Sequence, residues 1–293
     1  MQSVSIIGLG RMGGALAIAL SRAGYRVENL IYRSTAVGAI TGRISPSARL
    51  ISFEDLEDVN SDIIFITSAD SEIASISSQI ASKVKAGSLV FHASGSLSSE
   101  ILSDVTRVGC YTGSIHPLVS ISDPIRGSER FAGAFFCVEG EDNAIAVARE
   151  IVANLGGESF SIDTRHKSLY HASAVTASGH LVALIDVAIE MLTKCGVEPD
   201  ESKRILMPLI TSTIENLEVQ STAKALTGTF ARADVSTFER HLDALKENVS
   251  SEIRRVYLDL GDRSLDLAEL EGQDSDNIRK IRDGIMLALR TAK

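Results

Sequence analysis

The sequence predicts an α/β domain with a mostly parallel, doubly wound sheet, followed by an all-helical domain. Three observations carry that reading. Short β-branched runs alternate with helix-period segments through the first half. One of them, Asp62 to Thr67, is nearly continuous in apolar residues, the pattern of a strand buried on both faces. After about residue 163 only helical periodicity is left. The domains are therefore set at 1–163 and 164–293, in keeping with a chain of 293 residues at roughly 150 per domain.

In order, Ser3 to Ile7 reads as a strand, Met12 to Ala23 as an Ala/Leu-rich helix ending at Gly24, and Val27 to Tyr32 as the next strand. After the run at Asp62 to Thr67 come a helix from Ser71 to Val84 and a strand from Ser88 to His92. Phe135 to Glu139, a helix from Asn143 to Leu155, and Glu158 to Ile162 complete the first domain. Such alternation implies right-handed crossovers between parallel strands. His166 to Lys194 then reads as one long helix stopped by Gly196 and Pro199, with Asp200 capping the next. Three more helices are expected near 236–247, 249–264 and 275–291.

With 44% hydrophobic and 23% charged residues, there is enough apolar side chain to exclude disorder over most of the chain. A net charge of -9 argues against a nucleic-acid partner, which needs clustered Lys and Arg. Cys110, Cys137 and Cys195 are too few and too scattered for a disulfide framework or a metal site, and core packing is the plainer role for each. The apolar run Val182 to Ile189 is read as too short and too polar to span a bilayer, so the expectation is a cytoplasmic protein.

Gly8-Leu9-Gly10-Arg11-Met12-Gly13 follows the first strand and opens the first helix. In that setting G-x-G-x-x-G has a mechanism for binding a dinucleotide. Gly8 permits a tight turn, Gly10 admits the pyrophosphate, and Gly13 lets helix and strand approach. The helix N-terminus holds the phosphates. The second strand ends in Tyr32-Arg33-Ser34, with no acid to accept from a ribose 2′-hydroxyl. Arg33 and Ser34 suit a 2′-phosphate instead, which favours NADP over NAD. The alternative for Arg33 is a solvated surface charge.

Other candidates fall where ligands of such sheets sit, beyond the carboxyl ends of strands. Thr67 and Ser68 follow the buried strand, and Ser94 follows the next. Asp70 is read as a helix N-cap. A loop is expected at Gly113 to Leu118, where His116 is either an acid-base or substrate-orienting group or a turn histidine satisfied by backbone. On the long helix, Lys167, His171 and Ser178 share one face. Lys167 or His171 there can pass a proton, the plainer reading being a solvated first-turn lysine and a hydrogen-bonded interface histidine.

Taken together, Gly8 to Gly13, His92-Ala93-Ser94-Gly95, Gly113 to Leu118, Lys167 to Ala172, and Leu226-Thr227-Gly228 with Ala231-Arg232 resemble the Rossmann-like proteins joined to domain of unknown function 2520. That family is similar in architecture to pyrroline-5-carboxylate reductase and the deazaflavin-dependent NADP oxidoreductases. The resemblance implies an oxidoreductase, often a homodimer. In two places the chain departs from the family: Ala177-Ser178-Gly179 replaces Ala-Ser-Asn, and Gly228-Thr229 replaces Gly-Pro. The Asn that β-hydroxyacid dehydrogenases place one turn after their Lys is here His171.

The function expected is an NADP-dependent oxidoreductase, with NAD as the alternative cofactor. It would move a hydride between nicotinamide and a carbonyl or imine carbon of a small metabolite in a cleft between the domains. Gly8, Leu9, Gly10, Arg11, Met12, Gly13, Arg33, Ser34, Thr67, Ser68 and Ser94 would hold the cofactor. Lys167, His171 and His116 would act on the substrate. No nucleic-acid or membrane partner is expected, and the helical domain is expected to form a homodimer. The rivals are a prephenate- or arogenate-dehydrogenase-like enzyme and a non-catalytic NADP-binding sensor or assembly protein.

Overall fold

A computed structural model of the protein describes residues 2–33 and 48–291, so Ser34 lies outside the described residues. The chain divides into two compact units, Met1–Ser178 and Gly179–Lys293. That division is later than the one near 163 read from periodicity. The first helix beyond residue 163 is tied to the sheet by a buried lysine, a contact that periodicity does not register.

In the first unit the elements are β1 (Ser3–Ile7), α1 (Arg11–Arg22), β2 (Arg26–Tyr32), β3 (Arg49–Ser52), β4 (Ile63–Ile66), α2 (Asp70–Ile80) and β5 (Leu89–His92). They continue with α3 (Ser103–Arg107), β6 (Tyr111–Pro117), α4 (Pro124–Gly127), β7 (Phe135–Gly140), α5 (Asp142–Asn154), β8 (Glu158–Phe160) and α6 (Lys167–Ala177). The strands form one sheet in the order β3-β2-β1-β4-β5-β6-β7-β8. All neighbours are parallel except β6 and β7.

The sheet is covered on both faces, and β4 shows why its sequence is apolar throughout. Phe65 packs into one core with Ile6, Phe91 and the α1 residues Leu16 and Leu20. Its neighbours Ile64 and Ile66 point the other way, into a second core with Ile73 and Ile76 of α2. Burying each such side chain contributes about 1.5–3 kcal/mol. Helix α1 stops where Gly24 adopts a φ of +90°, a conformation that side chains disfavour. Strand order reverses between β1 and β4, and in open sheets of this kind the ligand crevice lies at the carboxyl ends of those strands.

The loop expected at Gly113 to Leu118 is instead strand β6 for most of its length, paired antiparallel to β7. Its Gly, Ser and Pro have turn propensity. Burial between β5 and β7 overrides it, and Gly113 leaves room for the Phe91 ring 2.9 Å from where a Cβ would stand.

The long helix expected over His166 to Lys194 is two, α6 and α7 (Gly179–Lys194), interrupted at Ser178 with φ -120° and ψ -70°. The break falls at the Ser-Gly pair that departs from the family pattern. By length and composition alone Thr164–Lys194 would suffice to cross a membrane, unlike the shorter run considered in the sequence. Its first helix, however, is anchored in the sheet unit through Lys167.

In the second unit α8 (Pro199–Val219) follows α7, then α9 (Thr222–Ala225), α10 (Gly228–Ala231), α11 (Val235–Asn248), α12 (Ser251–Leu270) and α13 (Ser275–Thr291). Helix α8 starts on Pro199 with Glu198 as its cap, two positions earlier than an Asp200 cap would set it. Its core gathers Phe238, Leu258, Leu265, Ile281 and Ile285. Gly228 opens α10 at φ +86°, where the family's Gly-Pro has become Gly228-Thr229. Cys110 and Cys137 are buried, whereas Cys195 is exposed after α7 and does not serve as core.

Candidate functional site

The candidate site lies within the first unit. Between the carboxyl ends of β1, β2 and β4 is a cleft of about 580 Å³, lined by Gly8, Leu9, Gly10, Arg11, Arg33, Thr67 and Ser68 among others. The glycine loop is built as its spacing requires. Gly8 has φ +102°, and a Cβ on it would stand 2.8 Å from the Ser68 nitrogen. A Cβ on Gly13 would lie 2.0 Å from the Gly8 carbonyl oxygen and 2.4 Å from Thr67 Oγ1, so α1 can close on the turn only without one. Around Gly10, by contrast, nothing lies within 4 Å of a Cβ position.

That open space would admit a phosphate close to the backbone. Helix α1 begins just after it, with no acidic residue in its first turn and no side-chain cap on its N–H groups. Ser68, which lines the cleft, has its Oγ buried without a hydrogen-bond partner. A dinucleotide phosphate fits all three features.

The remaining cofactor candidates divide by what their side chains touch. Thr67 Oγ1 donates to the Gly8 carbonyl at 2.7 Å, so Thr67 braces the loop. Met12 packs against the core, as Leu9 does from the cleft wall. Arg33 stands in the cleft with its guanidinium 4.3 Å from the Phe53 ring centroid and 3.2 Å from Glu72 Oε1. Ser94 is 6% exposed, and its Oγ accepts from the N–H groups of Ser96 and Leu97 at 3.2 and 3.1 Å. It caps its own turn and does not line the cleft. Asp70 is the first residue of α2 and not its cap, which is Ala69. Its carboxylate accepts from Ser96 Oγ at 2.7 Å, linking the ends of β4 and β5.

Further along the same sheet edge, β5, β6 and α6 bring three histidines together. His92 ends β5, wholly buried, with Nδ1 accepting from the Ser94 N–H at 3.1 Å. His116 comes from β6 and His171 from α6, their rings crossing at 80° with centroids 5.6 Å apart. Between them is Gly95. A Cβ there would lie 2.5 Å from His171 Nδ1 and 2.8 Å from His116 Nε2, so both imidazoles use the space a side chain would take. His171 Nδ1 is buried without a hydrogen-bond partner. His116 Nδ1 is 2.7 Å from the hydroxyl of Tyr170, which precedes His171 in α6.

Burial sets the protonation of His116 and His92. It pushes His116 down to about 4, with the charges of His171 and Lys167 adding to the effect. His92 is also lowered to about 4, by burial first and by Lys167 second. Burial beside Cys137 holds the Tyr170 phenol above its usual range, so it keeps its proton.

Lys167 occupies a different place from the one its helical spacing to His171 suggested. It is 1% exposed, its Nζ donating to Ser114 Oγ at 2.7 Å and to Glu139 Oε1 at 3.0 Å. Ser114 and Glu139 face one another across the β6–β7 pair. Glu139 also accepts from the Ser99 N–H and hydroxyl at 2.9 and 2.8 Å. Two of the three ammonium donors are thus engaged, pinning the start of α6 to the sheet. Glu139 went unnoticed in the sequence because its partner is 28 residues away, and no local signal marks the pair.

The comparisons follow the same outline. A Rossmann-like domain model matches residues 1–117, and the model of a domain of unknown function, DUF2520, matches residues 134–264. The second match starts just before β7 and so includes Glu139, Lys167 and His171. Among proteins with curated functions, none matches the sequence significantly. Among solved structures, a Bacteroides fragilis protein assigned as an NADP oxidoreductase superposes with a TM-score of 0.72 at 21% identity, over 90% of this chain and 97% of that one. Plasmodium falciparum pyrroline carboxylate reductase with NADP bound gives 0.57 at 16%, over 91% and 98%. An Aspergillus terreus reductive aminase in complex with NADPH and ethyl levulinate gives 0.55 at 15%, over 99% and 94%. At these identities the likeness establishes a shared fold.

Proposed function

We propose that this chain, which joins a Rossmann-like domain to a DUF2520 domain, is an NADP-dependent oxidoreductase acting on a carbonyl or imine carbon of a small metabolite. The observation that carries the reading is the convergence of His116 Nε2 and His171 Nδ1 over Gly95, on the sheet edge that also holds the glycine-loop cleft. The NADP and NADPH named for two structural neighbours support the choice of cofactor.

When bound, the nicotinamide supplies or accepts the hydride, and the protein has to position it and manage the proton. Gly8, Gly10 and Gly13 shape the pyrophosphate site, Ser68 offers its hydroxyl, and Arg11 and Arg33 offer positive charge. Neutral at pH 7, His116 accepts a proton from a substrate hydroxyl or, once charged, returns it readily. With its own proton on Nδ1, donated to the Tyr170 oxygen, neutral His116 leaves Nε2, the nitrogen nearest Gly95, as the accepting atom. His171 is the second proton-handling group. Lys167 acts as a positioning residue, holding the helix that carries His171.

The same reading includes a cytoplasmic homodimer formed through the helical unit. Helix α7 has no buried residue, and α7 and α8 expose Val182 at 69%, Leu209 at 64% and Val219 at 79%. Apolar surface of that extent on two adjacent helices calls for a partner. Sedimentation of the wild type and of Val182→Asp tests it, a monomer in both cases opposing the dimer.

Calorimetric titration with NADPH, followed by NADPH oxidation against a panel of ketones and imines, tests the activity. We expect binding and turnover in the wild type. His116→Ala with His171→Ala should bind NADPH normally and turn over nothing. Binding without turnover on any member of the panel would favour a nucleotide-binding protein without catalysis.

A further inference from the structure

We infer that Glu72 sets the cofactor selectivity of the cleft, by holding the arginine that a 2′-phosphate would need. The inference rests on the cofactor reading above. Arg33, Phe53 and Glu72 all line the glycine-loop cleft. Arg33 directly follows β2, where the adenosine end of a dinucleotide lies in this sheet order. Its guanidinium rests on the Phe53 ring and is paired to Glu72 Oε1 at 3.2 Å, from the first turn of α2.

An arginine at the end of β2 ordinarily argues for a 2′-phosphate ligand. Here that arginine already has an anionic partner. Both side chains are about two-fifths exposed, so the pair is weak enough to exchange with a ligand but close enough to compete with it. A dianionic 2′-phosphate reaching Arg33 has to displace the carboxylate or accept its repulsion. A 2′-hydroxyl has no such conflict and can itself donate to Glu72. Glu72 therefore lowers the preference for NADPH over NADH below what Arg33 alone would provide. Phe53, beneath the guanidinium, keeps Arg33 aimed into the cleft in either case.

The test is calorimetric titration of NADPH and NADH into the wild type, Glu72→Gln, Arg33→Ala and the double variant. The glutamine keeps the size and hydrogen-bonding reach of the side chain while removing its charge. In Glu72→Gln, NADPH should bind about fivefold more tightly and NADH should change by less than about twofold. In the Arg33→Ala background the same substitution should change NADPH binding by less than about twofold, because the arginine for which the two anions compete is gone. Unchanged or weaker NADPH binding in Glu72→Gln, or an equal gain for both nucleotides, overturns the role of Glu72. Failure of the wild type to bind either nucleotide overturns the cofactor reading and this one with it.

Discussion

Lys167 Nζ lies 3.0 Å from Glu139 Oε1, with the two side chains only 1% and 6% exposed. An ion pair so deep in a protein costs several kcal/mol of desolvation per ion and survives through its further hydrogen bonds, here from Ser99 and to Ser114. Removing one partner strands the other. Glu139→Gln or Lys167→Met alone should lower unfolding stability by about 3–5 kcal/mol. Combined, they should recover much of that loss, as urea unfolding midpoints will show. Simple addition of the two losses would mean that the groups are not coupled.

Two glycines of one motif should behave in opposite ways. Gly13→Ala drives a Cβ into the Gly8 carbonyl and should destabilise the protein by about 1–3 kcal/mol. Gly10→Ala meets no protein atom, so its melting temperature should match the wild type. Its NADPH affinity should nonetheless fall about tenfold or more, because the methyl group takes the space reserved for the pyrophosphate. Calorimetry and thermal melts on both variants separate the effects. A Gly10→Ala protein that binds normally would oppose the cofactor reading.

Gly95→Ala puts a methyl group against both imidazoles. If the pair carries the proton, kcat should fall by about 10²-fold while NADPH binding stays near that of the wild type. Tyr170→Phe should shift the pH dependence of kcat, since it removes the hydroxyl beside His116 Nδ1. An unchanged kcat in both variants would remove the histidine pair from the mechanism.

The buried histidines also make stability depend on pH in a definite direction. His92 and His116 are both pushed from 6.5 down to about 4, so between those values the unfolded chain binds more protons than the folded one. Stability should be complete above about pH 6.5, decline steadily as pH falls towards 4, and level off below for these two groups. The loss is roughly 3 kcal/mol per histidine at most. Urea unfolding between pH 4 and 7 measures the slope, and His92→Asn should reduce it by about half. A flat profile would contradict the burial of these rings.

Much of this was legible along the chain because it depends on near neighbours. The glycine loop, the buried β4 and the helices α8, α11, α12 and α13 come from spacing and periodicity over a few turns. Strand β6 was not legible, because Gly113, Ser114 and Pro117 have turn propensity and only their position between β5 and β7 makes them a strand. The break at Ser178 was visible only as an unusual Ser-Gly pair in an otherwise continuous apolar helix.

The sequence by itself determined the two-part architecture, the glycine loop that lines the cleft and the identity of His116 and His171 as candidates. Their companions were decided only by the tertiary structure. Glu139 meets Lys167 across 28 residues, Gly95 meets two histidines from different elements, and Glu72 meets Arg33 from another strand end. The reason is physical. Periodicity records which face of its own element a residue occupies, whereas a charge pair or a crowded glycine depends on which other elements the sheet order brings alongside.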